Sequence, residues 1–265
     1  MRVLIRIFTS LVLLCFLWAC AVTPTGRKQL TIVPEAQLVV MGVQSFHEIQ
    51  DKTPRLKDER TNAYVQCVAE SIIRLPQVQS LQSDWEVVVF DDKAVNAFAL
   101  PGGKIGVYKG LLDVAETADQ LAAVIGHEVG HVLSKHGNER VSQQLAINQT
   151  LSIIDSWVLQ GETENRGTIM SVLGIGGQVG VLLPFSRLHE SEADEIGQEL
   201  MARAGFDPSQ SIILWKNMAK NGGSGGPEFL STHPSSKTRV EKLTAGLKKT
   251  QRYYEQTAGN RPHCH

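Results

Sequence analysis

Apolar residues recur at helical spacing in two early stretches, EAQLVVMGVQSFHEIQD and NAYVQCVAESIIRL, and each predicts an amphipathic helix. His47 and Glu48 lie in the first. With no second histidine four positions after His47, they read as a solvated face. The period then changes: WEVVVFDD is a β-branched run, and AFALPGGKIGVYKGLL breaks at Pro101-Gly102-Gly103 between two extended pieces, so a strand and then a hairpin are predicted. Helical spacing returns in ETADQLAAVIGHEVGHVL, where Thr117 and Gln120 stand at capping-box spacing. A later acidic segment, LHESEADEIGQELMARAG, carries one apolar face of Ala193, Ile196, Gly197, Leu200, Met201 and Ala204. No repeat period is present. Strands come early and helices dominate the rest, so the expected fold is α+β, a small sheet packed on a mainly helical domain.

The helix entered at Thr117 carries the chemistry. His127 and His131 are four apart and project from one face, with Glu128 beside them, which is the HExxH arrangement. Two neutral imidazoles and one anionic ligand hold a zinc ion whose open position lowers the pKa of a water toward neutrality, and Glu128 would take that water's proton. One Zn2+ per chain is expected. Gly126 and Gly130 cost the helix about 1 kcal/mol each against alanine, a loss that close approach by substrate or a packed neighbour would justify.

The third ligand must come from elsewhere. His136, nine residues after His127, points to the opposite side of a continuous helix and reads as surface. Glu190 and Asp194 fall on or beside the apolar face of the acidic segment, whereas Glu192, Glu195 and Glu199 fall on its far side. A buried carboxylate needs a partner, and the metal supplies one for Glu190. Asp194, one turn on, is placed to accept a hydrogen bond from a ligating histidine. His189 is the runner-up ligand. His233, in GGSGGPEFLSTHPSS, sits on a glycine-rich support stiffened by Pro234; it either donates to an oxyanion in the cleft or caps the helix SSKTRVEKL.

Composition narrows the class. With 265 residues and 42% hydrophobic content the chain buries a core of its own and reads as one globular domain. Lys+Arg 26 against Asp+Glu 27 gives a net charge of −1, so no basic field for nucleic acid exists. Arg2 and Arg6 precede the apolar run IFTSLVLLCFLWAC, which fits an export signal and is short for a membrane span. Its ending, Leu17-Trp18-Ala19-Cys20, resembles a bacterial lipobox, with lipidation at Cys20; the rival is an ordinary cut at Ala19-Cys20-Ala21. Ala21 after the cysteine points to the outer membrane, so a periplasmic lipoprotein anchored there is expected. The organisation is then a signal over 1–20, a metallopeptidase domain over 21–249 and a tail over 250–265. Cys67 and Cys264 are permitted a bridge that their spacing does not demand. The terminal RPHCH reads as a frayed end rather than a metal site. TIMSVLGIGGQVGVLLPF, 168–185, reads as a buried or lid-forming helix, preceded by a loop in QGETENRG.

HExxH followed about sixty residues later by E-x-x-A-D, here Glu190 to Asp194, resembles the zinc metallopeptidases related to the CAAX prenyl protease and HtpX. Within them the likeness is to the soluble periplasmic lipoprotein members of the BepA and LoiP kind. PTGRKQL, NAFALPGGKIGVYKGLL and STHPSSKTRVEKL match as well, and the resemblance covers most of residues 24 to 245. It implies a gluzincin-like fold, zinc on His127, His131 and Glu190, and Glu128 as base. Asn96, Ala97, Phe98 and Ala99 would belong to an edge strand against which an extended substrate backbone pairs. His233 would occupy the fourth zinc position in a resting state. The implied function is a metalloendopeptidase of the bacterial envelope that cleaves unfolded or misassembled proteins. The alternative is an assembly factor or chaperone that holds clients and rarely cuts.

Overall fold

The computed structural model describes residues 20–146, 185–220, 228–233 and 237–265. The expected leader thus lies outside the described residues up to residue 19, as do the loop QGETENRG and, apart from Phe185, the expected helix over 168–185. Among the described residues no helix is long and apolar enough to cross a membrane.

Residues 20–30 form a hairpin, for which PTGRKQL supplies the turn and the second strand. Strands β1 (Cys20–Val22) and β2 (Lys28–Leu30) pair antiparallel. The turn closes through Gly26 at φ +89°, a conformation that glycine adopts without strain. Strands of three residues are too short to show a period. Helices α1 (Glu35–Lys52) and α2 (Glu59–Ile73) follow, α2 started by the Asp58 carboxylate accepting from the Arg60 N–H. A single turn, α3 (Pro76–Gln79), leads to the sheet.

β3 (Glu86–Phe90), β4 (Ala97–Leu100) and β5 (Lys104–Tyr108) form a three-stranded sheet in the order β3-β5-β4. β4 and β5 are the expected hairpin, in register Ala97↔Val107, and β3 lies parallel on the other side of β5. Among the described residues β4 is therefore an edge. On one sheet face Phe46 of α1 packs edge-on against Phe90 and Phe98, and Tyr108 closes the cluster. On the other, Ile105 and Val107 meet Val65 and Ile72 of α2 and Leu121, Ile125 and Val129 of the next helix. Each such fully buried side chain contributes about 1.5–3 kcal/mol.

That helix, α4 (Ala118–Leu133), is buried at every position from Gln120 to His131, and Thr117 caps its start by accepting from the Gln120 N–H. It packs directly on α6 (Arg187–Arg203). A Cβ on Gly126 would lie 2.8 Å from the Gly197 carbonyl oxygen, and one on Gly197 would lie 2.6 Å from the His127 nitrogen. The glycines thus serve backbone contact with a packed neighbour, and this contact sets Glu190 against the histidines. After Leu133 the chain turns through Ser134 and Lys135, the latter at φ +52°, before α5 over 136–146. Helices α7 (Ser209–Lys220), α8 (Glu228–Thr232) and α9 (Lys237–Gln256) complete the order, α9 running across residue 249.

The C-terminal end corrects the expectation of a frayed tail. Cys264 is buried and bonded to Cys67 on α2, which ties the last residues to the core. Pro262 packs where a side chain on Gly205 would stand.

Candidate metal centre

Consecutive helical positions bring His127 and Glu128 into the interior, and one turn later His131 joins them; their exposures are 2%, 3% and 4%. The N-terminal turn of α6, started by the Ser186 hydroxyl accepting from the His189 N–H, delivers Glu190 to the same point. His233 arrives from the end of α8. The Nε2 atoms of His127 and His131 are 3.1 Å apart, and His233 Nδ1 is 3.2 Å from His127 Nε2. Glu190 Oε1 lies 3.0 Å from His233 Nδ1 and 3.4 Å from His131 Nε2, and Glu190 Oε2 lies 3.6 Å from His127 Nε2. Zinc–nitrogen bonds of about 2.0–2.1 Å in a tetrahedron separate neighbouring ligand atoms by roughly 3.3 Å. The donor set therefore fits one metal ion of this kind: four ligand atoms, all within 4.8 Å of one another, converge on one centre. An ordinary hydrogen-bond network does not account for three ring nitrogens aimed at a single point, because a neutral imidazole carries one proton.

A second layer holds the first. His127 Nδ1 is 3.0 Å from Asp194 Oδ1, one turn along α6 from Glu190. Arg239 of α9, buried beneath Trp215, donates from Nε and Nη2 to the two oxygens of Asp194, both at 2.6 Å. Its Nη1 lies 2.6 Å from Glu190 Oε2. Burial raises the Asp194 and Glu190 carboxyls, but Arg239 beside the first and the surrounding imidazoles, His233 foremost, beside the second outweigh it and hold both below the usual range. Burial pushes Glu128 the other way, up, against the pull of His233 and His127. Glu128 Oε2 accepts from the Ala99 N–H at 3.3 Å, and Oε1 stands 3.5 Å from His233 Nε2.

Of the expected edge-strand residues, Ala97, Phe98 and Ala99 lie in β4, and Asn96 precedes it, its carbonyl accepting from the Tyr108 N–H. The Ala99 N–H is committed to Glu128, and the Phe98 ring lies across Gly106 in the aromatic cluster.

Two expectations are corrected. His136 is not a surface residue: it is wholly buried, its Nδ1 2.9 Å from His131 Nδ1. The angular argument assumed a continuous helix, whereas the chain turns at Lys135 and α5 starts afresh. Nor does Glu192 face away. It is 5% exposed, 3.1 Å from His136 Nε2, and accepts from Arg27 Nε at 2.8 Å and from the Thr25 hydroxyl. The face opposite the apolar stripe is covered at this end by the N-terminal hairpin. Glu195 is the exposed one, its side chain 63% accessible. His189, the runner-up ligand, stacks on His136 and turns its Nε2 to Glu139, 3.0 Å away, outside the cluster. Burial lowers the His136 imidazole to about 4 despite the adjacent Glu192.

Sequence reading missed Arg239, Arg27 and Glu139. Arg239 occupies an amphipathic helix where a basic residue ordinarily meets water, and Arg27 follows a turn. Their presence in STHPSSKTRVEKL and PTGRKQL was the available signal.

Residues 59–246 match the model of peptidase family M48. The chain is similar to the mitochondrial metalloendopeptidase OMA1 of Schizosaccharomyces pombe, 37% identical over 193 residues, which cover 72% of this chain and 54% of the relative. The OMA1 metalloendopeptidase of Homo sapiens is 28% identical over 247 residues, 83% of this chain and 44% of the relative. The β-barrel assembly-enhancing protease of Escherichia coli is 24% identical over 208 residues, 77% and 42%. The chain spans about half the length of these curated relatives. The expected bacterial-envelope quality-control role and outer-membrane location are overturned, because the relatives matched at higher identity are mitochondrial metalloendopeptidases. The location was read from a short apolar leader and the role from the resemblance to periplasmic members.

Proposed function

The chain belongs to peptidase family M48, and on that premise we propose that it is a zinc metalloendopeptidase of gluzincin type, acting on polypeptides, with His127, His131 and Glu190 as metal ligands. Zinc, when bound, acts as a Lewis acid that brings the pKa of a water toward neutrality. Glu128 is the general base: its Oε2 is steadied by the Ala99 N–H, and its Oε1 takes the proton of the attacking water and returns it to the departing amine. Asp194 accepts from His127 Nδ1, leaving Nε2 as the lone-pair side, and Arg239 locks the Asp194 carboxylate in place.

His233 fills the fourth corner of the donor set. Its Nδ1 lies among the ligand atoms, which supports the resting-state role over that of a helix cap. In this same position its Nε2 stands 3.5 Å from Glu128 Oε1.

The observation that carries the proposal is the convergence of His127, His131, Glu190 and His233 beside Glu128. The test is casein cleavage and zinc content of the purified chain. One zinc per chain with chelator-sensitive cleavage is expected; a metal-free chain, or cleavage indifferent to chelator, rejects the assignment.

A further inference from the structure

The two histidines of HExxH are supported differently. His127 meets a carboxylate directly, at Asp194. His131 meets another histidine: its Nδ1 lies 2.9 Å from His136 Nδ1, with both rings buried. Two imidazole nitrogens at that separation require a proton on one and a lone pair on the other. The far side of His136 decides which. His136 Nε2 faces Glu192 Oε2 at 3.1 Å, and that oxygen also accepts from Arg27 Nε at 2.8 Å, so the carboxylate is an acceptor and His136 Nε2 is the donor. A neutral His136 protonated at Nε2 presents a lone pair at Nδ1. The proton between the rings is then on His131 Nδ1, and His131 Nε2, 3.1 Å from His127 Nε2, is left as a lone pair at the centre.

We propose that His136 is a positioning residue for the metal centre: a relay from Arg27 through Glu192 and His136 sets the tautomer and orientation of His131. The proposal rests on the reading of His131 as a zinc ligand through Nε2. Arg27 anchors the relay by spanning two carboxylates, Glu192 through Nε and Glu139 through Nη1 and Nη2 at 2.8 and 2.7 Å. Glu139 in turn lies 3.0 Å from His189 Nε2, and the His189 ring stacks on His136 at 4.4 Å, so the intermediary imidazole is held at its edge and on its face. Arg27 begins the second strand side of the N-terminal hairpin, so that hairpin becomes part of the apparatus that positions the ligand. It is not merely packing. An interposed imidazole does for His131 what the Asp194 carboxylate does for His127, since an outer partner that fixes ring orientation commonly changes metal affinity by about 10–100-fold.

The test uses the zinc-loaded chain and two variants. His136→Phe keeps a ring but removes the acceptor; His136→Gln retains an oxygen to accept from His131 and an amide to donate to Glu192. Zinc Kd by chelator competition is expected to weaken about 10–100-fold in His136→Phe and to stay near wild type in His136→Gln. Equal affinity in His136→Phe, or equal loss in both variants, overturns the relay. Nitrogen-15 shifts of the wild-type histidines read it without any variant: protons on His131 Nδ1 and His136 Nε2 are expected, and a proton on His136 Nδ1 overturns it. A wild-type chain that binds no zinc overturns the metal assignment along with the relay, whereas normal zinc binding with an unaffected His136→Phe removes the relay alone.

Discussion

Glu128→Gln exchanges one carboxylate oxygen for an amide that cannot accept the water's proton, while the ligand atoms of His127, His131 and Glu190 are untouched. Zinc content should stay at one per chain and cleavage should fall by at least about a hundredfold. Retained cleavage with retained zinc would remove Glu128 from the mechanism. Glu190→Ala removes the anion that faces all three imidazoles, whereas Glu195→Ala alters an exposed side chain. Zinc titration should separate the two, with loss of tight binding only in Glu190→Ala. Similar affinities in both variants would show that Glu190 is not a ligand. His233→Ala, assayed for basal cleavage and zinc together, should raise cleavage with zinc retained; a fall in kcat would instead make the imidazole an oxyanion donor.

At the scale of elements, the contact between α4 and α6 is the hinge of the site. Gly126, Gly130 and Gly197 remove three side chains from that contact, and the ligands stand on its two sides. Gly197→Ala places a Cβ against the His127 backbone, 2.6 Å from its nitrogen. Such overpacking typically costs about 1–3 kcal/mol, and here it also moves Glu190 from the histidines. Denaturant unfolding and zinc affinity should both deteriorate. Gly259→Ala, with nothing within 4 Å, serves as the control and should leave both within experimental scatter. An unchanged zinc Kd in Gly197→Ala would mean that the helix spacing does not set the donor geometry.

Across the whole molecule, the Cys67–Cys264 bond closes a span of 197 residues and fastens residue 264 to α2. Cys264→Ser should lower unfolding free energy by about 2–4 kcal/mol while zinc content is preserved. Calorimetry with and without reductant checks this, and identical melting in both forms would contradict it. Acid stability has a sign that can be worked out at Glu139. Burial pushes its carboxyl up, but His189 and Arg27 bring it down to about 2 from an ordinary 4.5. A depressed value stabilises the folded state fully above about pH 4.5, and the gain disappears as pH falls toward 2. Glu139→Gln should therefore lose stability at pH 6 and show a flatter dependence between pH 4.5 and 2 than the parent chain. Parallel curves would assign the acid sensitivity to other groups.

HExxH, the capping threonine, the strand-then-hairpin order and the buried placement of Glu190 and Asp194 were legible because each depends on spacing within one element. Periodicity reports which side of a helix a residue occupies, so the face of α6 that carries Glu190 could be read without knowing what it meets. His136 and Glu192 were misread for the complementary reason. A left-handed residue at Lys135 ends the helix that the angular argument extended, and a hairpin of two three-residue strands covers the face that looked free. Arg239 becomes interior, and Arg27 half-buried, because carboxylates from another element neutralise them there. The sequence by itself determined the candidate donor types and the helix faces that bear His127, His131 and Glu190. Only tertiary structure decided which charges are buried together, because burying a charge depends on a partner that local spacing does not specify.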